Sequence, residues 1–113
     1  TYSKAELQPI LDRYHKSLQG HSDTEMMLEA CAALGVYKAV DHFIGMFAFA
    51  LWDRQDKVLY LVRDRLGIKP LYWTFQKNTL FFASELKALK AHKDVCTTID
   101  QKALATYLNQ GYI

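Results

Sequence analysis

The chain has little of what would give a quick answer. It holds only two cysteines, Cys31 and Cys96, in 113 residues. They stand far apart in unlike surroundings, which disfavours a disulfide and fits a reducing, cytoplasmic setting. Four histidines, His15, His21, His42 and His92, lie at no metal-ligand spacing, so no metal site is expected. Net charge is only +2, with acids and bases interspersed. That balance gives no support for the clustered basic face of a nucleic-acid binder. No apolar run approaches the roughly 20 residues of a membrane-spanning helix, and no charged-then-apolar segment opens the chain. Thr1 stands where a methionine would, as in a cut or processed piece. It precedes a helix start rather than an apolar strand, so it is not read as a nucleophile. Ser84 and His92 lack the glycines of a nucleophile elbow.

What is present is a globular composition. Half the residues are hydrophobic, enough for one domain with a buried core. Ser3-Lys4-Ala5-Glu6 and Ser22-Asp23-Thr24-Glu25 both match a capping box, in which the serine oxygen accepts a backbone N–H of the first turn. A helix with Leu7, Ile10, Leu11 and Tyr14 on one face follows the first, up to Gly20. Pro9 either kinks it or sits in its first turn. The second box opens a helix through Leu34 that is apolar around much of its circumference, so burial on more than one side is expected. Gly35 is its expected left-handed C-cap. A short helix near 36–42 comes next, with Val36, Val40 and Phe43 at helical spacing.

Gly45 breaks the helical pattern. Met46–Trp52 and Val58–Val62 are apolar runs of strand length around a polar turn, Asp53–Lys57, and read as a hairpin. Pro70–Phe75 and Thr79–Ala83 form a second, turning at Gln76-Lys77-Asn78. Strands apolar on both faces call for cover on both. The aromatic set Phe47, Phe49, Trp52, Tyr60, Tyr72, Trp73, Phe75, Phe81 and Phe82 is therefore assigned to the core. Ser84 is the expected cap of a helix to about Lys90, with Lys87 and Lys90 near its end. Asp100 caps a last helix with Ala103, Leu104, Tyr107 and Leu108 as its buried stripe. The fold class is α+β: two antiparallel hairpins with flanking helices. The run Arg63–Pro70 offers two arginines, a lysine and a glycine turn. It reads as an anion-binding loop or as a connector in which Arg63 and Asp64 pair with neighbours, and the connector is favoured.

Four strings in order carry a resemblance: Gly20–Glu25, Gly45–Asp53, Arg63–Tyr72 and Phe82–Leu89. Together they resemble the class II glutamine amidotransferase domain, and within it the glutaminase domain of glutamine-hydrolysing asparagine synthetases. The resemblance covers essentially the whole chain, residues 1–113, as the C-terminal portion of that domain. It implies a partial αββα sandwich of the N-terminal-nucleophile hydrolase type. The implied parent enzyme releases ammonia from glutamine for ATP-dependent amidation. An N-terminal cysteine thiolate does that work in the family, and no residue here matches it, so no catalytic residue is assigned. Asp23 matches the family's residue for the glutamine α-ammonium, and is the one substrate-binding candidate. Without the resemblance it is an acid in a capped first turn. No cofactor is expected in this chain; ATP and Mg belong to the synthetase domain of the parent enzyme. Expected partners are glutamine in the complete enzyme, and a second copy as a homodimer or the remainder of the domain. The competing expectation is a non-catalytic scaffold or interaction module that reuses the fold.

Overall fold

The computed structural model describes residues 4–13 and 22–112, with side chains in the first helix from Leu7 onward. Expectations for Thr1, the Ser3–Glu6 cap, Tyr14, His15, Gly20 and His21 lie outside the described residues. The chain divides into two compact units, Thr1–Lys69 and Pro70–Ile113. It is α+β, with two separate two-stranded antiparallel sheets and flanking helices.

In the first unit, α1 spans Lys4–Arg13, α2 Asp23–Leu34 and α3 Val36–Asp41. Leu7 and Leu11, one turn apart on α1, are fully buried. Pro9 lies inside the helix rather than in its first turn. It removes the N–H that would bond one turn back, and the ring sits on the exposed side. Ser22 caps α2, its Oγ accepting the Thr24 N–H at 3.2 Å. Gly35 ends α2 with φ +79° and ψ 152°, and its N–H donates to the Cys31 carbonyl. Its φ is positive, as expected, but its ψ lies outside the left-handed helical region. That extended ψ lets α3 begin on the next residue.

The expectation that α2 is buried on more than one side fails. Met26, Ala30 and Cys31 are buried, whereas Leu28 is 56% exposed. Leucine and alanine favour a helix whether or not they are buried, so an all-round apolar pattern does not require all-round cover.

Strands β1 (Ala48–Asp53) and β2 (Val58–Arg63) pair in antiparallel register, Ala48 opposite Arg63 and Asp53 opposite Val58. Asp53 accepts the N–H groups of Gln55 and Asp56 to set the turn. Residues directly opposite share a face, so Phe49, Leu51, Tyr60 and Val62 lie together. Phe49, Leu51 and Val62 pack on the core formed by the three helices, Phe43 and Phe47. Phe43 and Phe47 meet edge to face at 5.7 Å, with Phe49 tilted beside both. On the other face Ala50 is exposed and Trp52 is 54% exposed.

In the second unit, β3 (Tyr72–Gln76) and β4 (Thr79–Ala83) pair around Lys77 and Asn78. Both turn residues have positive φ, 49° and 59°, the signature of a tight hairpin turn. Helix α4 (Leu86–Lys90) packs on β4 and buries Leu89. Ser84 does not cap it. Glu85 stands at the N-cap with no side-chain cap bond. Asp100 does cap α5 (Gln101–Gln110), accepting from the Lys102 and Ala103 N–H groups, and Gly111 closes it in the left-handed conformation.

The expected buried stripe of α5 is not buried: Ala103 is half-buried, and Leu104, Tyr107 and Leu108 are exposed. Local caps suffice to define this helix, and its apolar pattern records only what it is able to bury. Nor is the aromatic set all core. Phe47 is buried, but Trp52, Tyr72, Trp73, Phe75 and Phe82 are exposed. The strands are apolar on both faces, yet in each hairpin large rings stand open.

Burial this uneven separates two substitutions. Phe43→Ala, at a fully buried ring, is expected to cost about 3–5 kcal/mol, a large part of a typical domain's stability. Leu108→Ala, on the exposed face of α5, is expected to stay within about 0.5 kcal/mol. Urea titrations followed by circular dichroism measure both. Equal shifts would contradict the assignment of the core.

Candidate functional site

Asp23 is the first residue of α2 and is half-buried. Ser22 fixes the start of the helix, so the backbone of Asp23 is held at a defined place on the first turn. Glu25 is a second acid in that turn, where the helix dipole favours negative charge. No other residue was expected to join Asp23 in binding substrate. An open groove of about 360 Å³, whose lining includes Thr24 but not Asp23, runs between α2 and β1. Thr24, Met27, Leu28 and Cys31 form its helical wall, and Phe47 to Trp52 form the other. The helical positions follow one face of α2, at spacings of three and four.

Cys31 borders this groove, but burial pushes its thiol up from the ordinary value, which disfavours the thiolate that attacks. Cys96 differs. It is exposed, and the Thr98 hydroxyl, 2.9 Å from Sγ, holds its thiol below the usual range. The Thr98 backbone and the charge of Lys77 act in the same direction. Both cysteines are free thiols. Among the described residues no group of three or more His, Cys, Asp or Glu side chains is placed to hold a metal ion. Among them, too, no helix is long and apolar enough to cross a membrane.

The Arg63–Pro70 loop is organised around Asp64, which is 6% exposed. Its carboxylate accepts N–H groups from Ile68 at 2.8 Å, Lys69 at 2.9 Å and Phe47 at 3.3 Å. Its own N–H donates to the Phe47 carbonyl at 2.8 Å. The Lys69 bond is the largest influence on the carboxyl and holds it below the ordinary range. Desolvation opposes this, while the Ile68 and Phe47 bonds and the charge of Arg63 reinforce it.

Arg63 turns inward on the loop, donating to the carbonyls of Gly67 and Lys69. Gly67 has φ +62°, and a Cβ there would stand 3.0 Å from the Arg63 guanidinium carbon. Glycine meets both constraints. Arg65 donates to the carbonyls of Asp41 and Phe43. The two arginines are thus bonded to carbonyls of the chain itself, and the connector reading accounts for the loop.

Two arrangements went unseen in the sequence. Asp64 pairs with its neighbours Ile68 and Lys69, as the connector reading has it, but its bond to Phe47 spans 17 residues. In the second unit Gln76 Oε1 accepts the Cys96 N–H at 2.6 Å, and Lys77 meets Asp94 at 3.3 Å. A polar residue ending an apolar strand was the available signal for Gln76. His92 accepts the Asp94 N–H and lies against Phe81, ring centres 4.8 Å apart, rather than serving Ser84.

The loop makes stability depend on acid. A lowered native pKa means that Asp64 stabilises the fold above the unfolded carboxyl value of about 3.9. That contribution fades as pH falls through the lower native value. Asp64→Asn is expected to reduce the urea midpoint at pH 7, with the gap from the parent chain narrowing by pH 3. A gap independent of pH would contradict the role given to this carboxylate. The thiols give a second measurement. Under excess of a maleimide at pH 7, Cys96 is expected to label quickly and Cys31 only on unfolding, resolved by mass spectrometry of peptides. Equal rates would show that burial does not protect Cys31.

Comparison with known proteins identifies the family of the sequence. Residues 1–113 match the family described as a glutamine amidotransferase domain. The chain is 34% identical over 110 residues to asparagine synthetase [glutamine-hydrolyzing] 3 of Bacillus subtilis, covering 97% of this chain and 18% of that protein. It is 39% identical over 115 aligned positions to asparagine synthetase [glutamine-hydrolyzing] 1 of the same organism, covering 99% and 17%. Against asparagine synthetase B [glutamine-hydrolyzing] of Escherichia coli it is 40% identical over 98 residues, 86% of this chain and 17% of the relative. The chain therefore spans less than a fifth of the length of these relatives. No solved structure matches it significantly. With the match running from one end of the sequence to the other, the chain belongs to the glutamine amidotransferase domain family.

Proposed function

We propose that residues 1–113 are the C-terminal portion of a glutaminase domain in an asparagine-synthetase-like enzyme. That enzyme hydrolyses glutamine and delivers the ammonia to an ATP-dependent amidation. The observation that carries this reading is the family match across the whole chain, joined to the asparagine synthetase relatives. In the complete enzyme the two hairpins are strands of an αββα sandwich of the N-terminal-nucleophile hydrolase type. Their exposed rings, Trp52 on one and Trp73, Phe75 and Phe82 on the other, are apolar surface of the kind such layers bury.

Asp23 binds the α-ammonium of glutamine. A carboxylate opposite a cationic amine forms a charge-assisted hydrogen bond, and its place on the capped first turn of α2 limits the freedom lost on binding. The attacking thiolate belongs to an N-terminal cysteine that no residue of this chain matches. An oxyanion hole and a base complete the chemistry in the same absent portion. ATP and Mg serve the synthetase domain. The enzyme is cytoplasmic.

The isolated chain is expected to release no glutamate from glutamine. Robust turnover, sensitive to change at Cys31 or Thr1, would overturn the proposal. In the complete enzyme, Asp23→Asn is expected to raise the KM for glutamine about tenfold or more, in line with about 1.5–3 kcal/mol for a hydrogen bond to a charged group. An unchanged KM would remove Asp23 from the substrate site.

The exposed rings also favour a second reading, in which this chain is a non-catalytic module that associates with another copy. Exposed apolar surface and unpaired strand edges promote such contacts. Sedimentation is expected to show a homodimer at micromolar concentration. A monomer throughout would dismiss this second reading.

A further inference from the structure

We draw no further inference here: the strongest candidate, the open apolar groove between the unpaired edge of β1 and the Thr24–Cys31 face of α2, carries nothing because nothing in the structure shows what covers it.

Discussion

A single buried carboxylate, that of Asp64, joins stretches of chain that are distant in sequence. It gathers the backbone N–H groups of Phe47, Ile68 and Lys69. A charge removed from water is tolerated when its lone pairs are filled in this way. The bonds between Asp64 and Phe47 run in both directions, because Asp64 also donates to the Phe47 carbonyl. Together they close the open end of the β1–β2 hairpin. Phe47 is thereby held where its ring meets Phe43, and the aromatic cluster follows from the position of that backbone. Arg65 extends the same construction by tying the loop to the last carbonyl of α3 and to that of Phe43 just beyond it.

Local chemistry was the legible part of the sequence. Ser22 and Asp100 cap their helices because a short side-chain oxygen next to an apolar run has one obvious use. Lys77-Asn78 turns tightly because asparagine tolerates positive φ. Ser84 failed by the same logic: the helix begins two residues later, with Glu85 at its boundary, so the serine stands too early to cap it. Burial was less legible, since it depends on what lies opposite. Leu104, Tyr107 and Leu108 carry a proper amphipathic pattern, yet stand exposed. The long-range bonds of Asp64 and Gln76 were hidden for a related reason. Composition shows that a polar group needs partners and leaves their identity to the fold. Asp23 is proposed only on its motif, because an acid on a first turn looks the same whether or not it binds an amino acid.

Family membership rests on similarity across the whole chain. Its similarity to asparagine synthetases extends over nearly all its residues while spanning less than a fifth of their length. The burial that makes Cys31 useful in packing also raises its pKa. Cys96 is exposed, and Thr98 and Lys77 hold its thiol below the ordinary range. The chain's thiols thus follow packing and local hydrogen bonding.

The two ribbons are anchored unequally. An isolated two-stranded hairpin is marginal in water, so each depends on what grips it. The first is fastened by a three-ring aromatic cluster and the Asp64 bonds. The second has the short helix α4, the Phe81–His92 contact and the Gln76 clasp. The Tyr72–Ala83 ribbon has the lighter fastening, and local opening is expected to begin there.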